Sequence, residues 1–285
     1  MAQQAKMGTV GGLFRYPVKS LRGEALTASE VLISGLKGDR HWAFRDMERN
    51  EITSAKRSPL LLQIAATLIE DGAVLGARIS LPTGETFTAG APDCSARVSA
   101  YVGRQLSIFD IRPASDTAHY ARAKVAPEKL EATFREMLGL LPDEAMPDFS
   151  KMPPEALRNA TLPGTYYDAS TISIVLASEL KQLRNSLPDA EVEAVRFRPN
   201  VVLDDLASPL SAESLVGVRM KIGTAEVMAD SHAPRCSMTT HAQDRLPKAP
   251  QIMRTLVRDW KHNFGLYATV VRGGQIRMGD PVERL

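Results

Sequence analysis

The chain has 285 residues, 44% of them hydrophobic and 24% charged, with a formal net charge of +2 and a pI of about 8.5. That is enough for one large domain or two ordinary ones around a real apolar core, and the mild charge excludes a dedicated nucleic-acid surface, which needs a concentrated basic patch. No window approaches the ~20 apolar residues of a membrane span, Met1 to Thr9 lack the apolar run of a secretory signal, and Cys94 and Cys236 are too few for a disulfide scaffold or an ordinary iron–sulfur cluster. A soluble, cytoplasmic protein with no nucleic-acid and no membrane partner is therefore expected.

In chain order, Thr9 to Tyr16 reads as a short apolar strand stopped by Pro17, which cannot donate to a ladder. Val18-Lys19-Ser20 then places an ammonium and a hydroxyl just past the strand end. Leu26 to Ile33 reads as a second strand. Gly35-Leu36-Lys37-Gly38-Asp39-Arg40 is a tight, glycine-punctuated connection that sets Arg40 at the start of the strand His41 to Phe44. Lys37 to Arg40, Arg45 to Arg49 and Lys56-Arg57 form basic clusters that could serve a small anionic ligand; on their own they read as solvated loops. Ile64 to Ile69 is a further strand, and Arg78 to Thr88 is a hairpin turning at Pro82-Thr83-Gly84-Glu85. Asp93 to Gly103 reads as a short helix with Cys94 as small filler in its first turn, and Leu106 to Ile111 as the last strand of this half.

Proline and charge rise from Ala114 to Gly164. Within that segment Pro127 to Leu138 is a helix, with Leu130, Phe134, Met137 and Leu138 on one face and Gly139 as its stop; Leu141 to Pro163 reads as a long covering loop. The second half opens at Thr165 and continues with the strand Ile172 to Leu176, a helix capped by Ser178, and the strand Val201 to Leu203. A hairpin follows, Arg219 to Ile222 and Ala225 to Ala229 around Gly223-Thr224. Gln251 to Trp260 is an amphipathic helix, and Leu266 to Val271 with Gln275 to Met278 reads as a hairpin around Gly273-Gly274. Strands and hairpins dominate over βαβ units, so the pattern predicts an α+β, strand-rich fold rather than a doubly wound sheet.

The chemistry concentrates at His232-Ala-Pro-Arg235-Cys236-Ser-Met-Thr-Thr240. A thiol in so polar and cationic a setting reads either as a nucleophile, with His232 or His241 as its base, or as a ligand for a soft metal. The residues alone leave the two open.

Taken together and in this order, Tyr16-Pro-Val-Lys19-Ser20, Gly38-Asp39-Arg40 followed by Trp42, Phe197-Arg198-Pro199-Asn200, Arg235-Cys236-Ser-Met-Thr-Thr240 and Gly279-Asp280-Pro281-Val282 resemble the MOSC-domain proteins. These proteins carry the C-terminal domain of molybdenum cofactor sulfurase and an N-terminal β-barrel companion, and include the mitochondrial amidoxime-reducing components and bacterial reducers of N-hydroxylated bases. The resemblance implies a β-barrel-like domain over residues 8–113, a linker with one helix over 114–164, and a MOSC β-barrel decorated by helices over 165–285. It also implies a molybdenum–molybdopterin cofactor in a cleft between the domains.

Under that resemblance Cys236 is the metal ligand and catalytic centre. Lys19, Ser20 and Arg40 hold the pterin and its phosphate, a dianion that suits an ammonium, a hydroxyl and a bidentate guanidinium. Asp168, Ala169, Ser170, Arg198, Asn200, Arg235 and Tyr267 complete the cofactor-binding set. The implied reaction reduces a small N-hydroxylated or N-oxide substrate, with electrons from an external donor protein or reductase, because two cysteines leave no room for an internal cluster. The alternative is a cofactor carrier or sulfur-transfer domain without turnover. Neither the anchor of the mitochondrial relatives nor a C-terminal ferredoxin domain is recognisable, and the segment Ala114 to Gly164 is longer than theirs; the chain looks most like a shorter soluble bacterial subgroup.

Overall fold

The structure, a computed structural model, describes residues 6–72, 74–146, 154–205 and 210–285. Its centre is a closed barrel. The strands run in the order Val201–Asp205, Ile172–Leu176, Asn263–Arg272, Ala225–Pro234, Arg219–Ile222, Pro281–Arg284 and Lys6–Arg15, and the last pairs back onto the first. Neighbours are antiparallel except Ile172–Leu176 and Val201–Asp205, which run parallel and are joined through the helix Ala177–Ser186, as a parallel pair requires a crossover. Alternate residues point inward, so Val10, Leu13, Ile174, Leu203, Val227 and Leu266 share one core.

The closing strand comes from the other end of the chain. Lys6–Arg15 pairs with Val201–Asp205 in the register Gly8↔Asp205 to Leu13↔Val201, and with Pro281–Arg284 on its other side. Residues 8–13 belong by sequence to the first unit, 8–113, yet they pair with strands of the second, while Phe14 and Arg15 pair with Ala25 and Glu24 of the first. Its first strand thereby ties the first half to the barrel. That half is built on two small antiparallel sheets, Leu106–Asp110 with Trp42–Asp46 and Glu51–Ile52, and Ala65–Asp71 with Val74–Ser80 and Thr86–Thr88. They enclose a separate core of Phe44, Leu61, Leu62, Ile64, Ile79 and Val98.

The hairpin expected around Gly273-Gly274 is not formed. Asn263–Arg272 already has both edges filled, by Ile172–Leu176 and Ala225–Pro234. The strand Gly274–Arg277 therefore crosses over and pairs with Ala28–Leu32 of the first half. The two glycines let the backbone squeeze through: a Cβ would lie 2.7 Å from Val31 O at Gly273 and 2.7 Å from Ala225 N at Gly274.

Local expectations fare better. The helix Pro127–Leu138 ends on Gly139 at φ 72°. The helix Ala177–Ser186 starts one residue before Ser178, with Leu176 at its cap and no side-chain cap bond, because the strand runs straight into it. Asp93 flanks the helix Cys94–Val102, but its carboxylate accepts from Arg97 Nε at 2.7 Å instead of capping. The covering loop from Leu141 holds the helix Pro154–Arg158, and its residues 147–153 lie outside those described. Among the described residues no helix is long and apolar enough to cross a membrane.

Leu13 is 1% exposed inside the barrel core, so Leu13→Ala should destabilise the second half by about 3 kcal/mol. The two tryptophans, Trp42 and Trp260, lie one in each half. In a Trp42→Phe background, denaturation followed through Trp260 checks this; a loss under about 1 kcal/mol would show the first strand to be peripheral.

Candidate functional site

The cleft between the two halves is assembled on strained backbone. Ser20, Arg40 and Arg198 all adopt left-handed φ, at 67°, 48° and 52°. Such conformations cost a residue with a Cβ roughly 1–2 kcal/mol each and persist where the surroundings fix them. The surroundings here centre on Asp39, whose side chain is fully buried. Its Oδ1 accepts from Tyr16 N at 2.7 Å, and its Oδ2 accepts from Asn200 Nδ2 at 3.0 Å and from Arg40 Nη1. Arg40 then stacks over Tyr16 at 4.7 Å, and Arg198 lies over the same ring at 4.2 Å.

All the residues that the resemblance assigns to the cofactor converge on this cleft, a cavity of about 90 Å³. Lys19, Ser20 and Arg40 come from the first half; Asp168, Ala169, Ser170, Arg198, Asn200, Arg235, Cys236 and Tyr267 come from the second. They do not all face it with free groups. Asn200 is 1% exposed, and its amide is taken up by Phe14 O at 3.3 Å, Asp39 and Ser173 N at 3.1 Å. Arg235 donates to Phe264 O at 2.8 Å from Nε and to Phe197 O at 2.9 Å from Nη1. These two brace the walls. Ser20 Oγ accepts from Ala55 N at 3.0 Å, and Ser170 Oγ donates to Ala268 O at 2.6 Å.

Ser173 carries no sequence signal that marks it for the cleft, Lys56 was visible only as part of the basic pair Lys56-Arg57, and Asp39 only as the middle of Gly38-Asp39-Arg40. Lys19 Nζ donates to Tyr166 O at 3.0 Å and to Asp168 Oδ1, while Lys56 Nζ lies 3.1 Å from Asp168 Oδ2. Burial alone would raise the Asp168 pKa, but the two ammoniums outweigh it and hold the carboxyl far below the usual range. Burial lowers the Lys19 pKa more than Asp168 restores it. For Lys56, Asp168 and then Cys236 overcome burial and raise it. Burial, reinforced by Arg40, brings Arg198 down to about 10. Arg198 Nη1 donates to Leu21 O at 2.7 Å, but its Nη2 and the Ser173 hydroxyl are buried without a hydrogen-bond partner among the described residues. Among the described residues five cations, Lys19, Arg40, Arg196, Arg198 and Arg235, line the cleft against one lining carboxylate, Asp168, with Lys56 paired to Asp168 and Asp39 to Arg40, and the cleft is set for an anion.

Strand Ala225–Pro234 delivers Cys236 to this cationic wall. The residue is half-buried at the start of the short turn Ser237–Thr240, where Thr239 Oγ1 donates to its carbonyl at 3.0 Å. Its thiol acts electrostatically on Lys56, Arg235 and Tyr267. No histidine lines the cleft. His232 lies on a different face, beside Glu179 and Trp260, and a hydrolase base is not in place. Among the described residues no three His, Cys, Asp or Glu gather to hold a metal ion.

Fold and cleft define a two-part, strand-rich protein with a cationic, thiol-bearing cleft between its halves. Residues 162–283 match the MOSC domain and residues 7–109 the MOSC N-terminal beta barrel domain, and the chain belongs to the MOSC-domain proteins. It is 24% identical over 303 residues to mitochondrial amidoxime reducing component 2 of Bos taurus, covering 98% of this chain and 84% of that one. It is 26% identical over 302 residues to mitochondrial amidoxime-reducing component 1 of Homo sapiens, covering 97% and 83%. Among solved structures, the YUAD protein from Bacillus subtilis matches at 14% identity and a TM-score of 0.48, over 99% of this chain and 98% of that one.

The two thiols differ in setting. Burial, with Asp93 beside it, pushes Cys94 up to about 12. At pH 9 only about one molecule in a thousand would carry its thiolate. Iodoacetamide at that pH should therefore modify Cys236 in the folded protein and reach Cys94 only in denaturant. Peptide mass spectrometry checks this; equal labelling of Cys94 without denaturant would contradict it.

Proposed function

We propose that this protein is a molybdenum-cofactor-dependent oxidoreductase that reduces small N-hydroxylated or N-oxide substrates in the cytoplasm, fed by a separate electron-donor protein or reductase. The observation that carries the reading is the convergence of the Cys236 thiol and the partnerless Arg198 Nη2 in one cationic cleft held on strained backbone. The names of the relatives, amidoxime-reducing components, supply the reaction class.

The residues present fit the group. A single thiol with no His, Cys, Asp or Glu cluster among the described residues suits a metal that arrives already chelated by its organic cofactor better than a bare ion. Arg40, Arg198, Lys19 and the Ser20 hydroxyl would hold the phosphate and pterin, with Ser173 adding a buried hydroxyl. Cys236 would bind the metal through its thiolate. When bound, the molybdenum–pterin group supplies two-electron reduction of an N–O bond. Around it, Asp168 stays ionised between Lys19 and Lys56 and fixes both ammoniums in the cleft wall. Asn200 and Arg235 keep the Ser173, Phe197 and Phe264 segments at their spacing. Thr239 and Thr240 are wall, with their hydroxyls turned to Cys236 O and Ser237 O.

Cys236→Ser should abolish molybdenum-dependent N-reduction while circular dichroism and melting temperature stay those of the parent; retained turnover would end the ligand assignment. Persulfide on Cys236 without molybdenum would instead favour the sulfur-transfer alternative. Arg40→Ala should lower molybdenum and pterin content per folded protein with little change in turnover per bound metal. Elemental analysis decides it, and full occupancy in that variant would count against a phosphate role.

A further inference from the structure

Beside the Cys236 cleft lies a smaller recess of about 30 Å³. It shares Lys19 and Asp168 with the cleft, and Lys56, Arg57, Arg122, Met137 and the carboxylate of Glu51 also line it. Arg57 follows Lys56 in a basic pair and, unlike Lys56, makes no contact with Asp168. It is half-buried, and among the described residues its guanidinium has no carboxylate within ion-pair distance; its Nη2 contacts Met137 Sδ at 3.2 Å, a weak acceptor. Two carboxylates, Glu51 and Glu136, act on it from beyond ion-pair distance. Glu51 stands between Arg49 and Arg122, at 3.9 Å from each. Burial and the charges of Arg49 and Arg122 lower the Arg57 pKa, and Glu51 and Glu136 offset them only in part. An arginine so placed lacks an anion.

The recess is coupled to the reactive thiol on two sides. Lys56 lines it and also feels the charge of Cys236. Met137, against Arg57, accepts from Ser237 Oγ at 2.9 Å through its backbone oxygen, and Ser237 is the residue after Cys236. Lys19 and Asp168 line both cavities, so an acidic group extended from beside Cys236 reaches Arg57 across that shared wall.

We propose that Arg57, assisted by Lys56, is a carboxylate-binding subsite, and that the preferred N-hydroxylated substrates of this protein carry an acidic group. The substrate's reacting end rests on the reductase reading above; the anion site itself does not. The test uses full-length, cofactor-loaded protein and two probes, 4-amidinobenzoate and benzamidine, with affinities from calorimetry. The parent should bind the acid-bearing probe at least about tenfold more tightly, Arg57→Gln should bring that ratio to about one, and Arg57→Lys should keep part of it. Equal affinity of the parent for both probes, or an unchanged ratio in Arg57→Gln, overturns the proposal. So does loss of molybdenum in Arg57→Gln, which would assign Arg57 to the cofactor. Turnover of 4-carboxybenzamidoxime against benzamidoxime should show the same ratio in kcat/KM. Turnover of neither by the parent, with the binding preference intact, overturns the reductase reading and upholds the subsite.

Discussion

The buried carboxylate of Asp39 is the constraint on which the cleft depends. It receives the Tyr16 amide from the end of the first strand, the Asn200 amide from the second half, and the Arg40 guanidinium beside it. A buried charge is tolerated only when its lone pairs are filled, and removing one partner of such a set typically costs 3–5 kcal/mol, roughly, because the other is stranded. Tyr16, Arg40 and Asn200 therefore cannot move independently. Arg198 joins them by stacking on Tyr16.

The barrel topology explains why this centre lies between the halves. Lys6–Arg15 is a barrel strand, and the chain that leaves it, Tyr16 to Ser20, must turn out over the barrel mouth before the first half begins. Gly274–Arg277 returns the tie by adding an edge strand to Ala28–Leu32. With both halves cross-linked through backbone ladders, Ser20, Arg40 and Arg198 can be held at left-handed φ that a flexible loop would relax.

Much of this was legible in the sequence, but unevenly. Short motifs announced Lys19, Arg40, Arg198 and Cys236, and the structure gathers them in one cleft. Hydrophobic periodicity located Pro127–Leu138 because that helix is specified by its own face and its glycine stop. Pairing was not legible. Gly273-Gly274 has the local chemistry of a hairpin turn, yet strand partners are chosen by which edges remain open, and that is a property of the whole barrel. Partnership across long separations was equally hidden. Asp39 looks like a local partner of Arg40, while Asn200 stands 161 residues away; Lys56 looks like a solvated charge, while Asp168 stands 112 residues away. Asn200 shows the converse: its motif suggested a ligand-facing amide, and its hydrogen bonds are filled by protein.

The balance of partnered and partnerless cations separates scaffold from binding surface. Arg235 gives its guanidinium to Phe197 and Phe264 carbonyls, and its charge serves the cleft only through space. Arg198 gives Nη1 to Leu21 O and keeps Nη2 without a protein acceptor. Arg57 faces a thioether. Buried donors without acceptors are costly in a folded protein, and a ligand that binds only the native state returns that cost as affinity and as stability. Arg198 Nη2, in the main cleft, is one of several buried donors without a protein partner among the described residues, Arg22 Nε and Arg49 Nε being others, and Arg57, half-buried in the recess, meets only a thioether; Arg198 and Arg57 flank the Lys19–Asp168–Lys56 bridge. One bridge thus divides two anion-seeking chambers that share a wall, and Cys236 lies within electrostatic reach of that wall through Lys56.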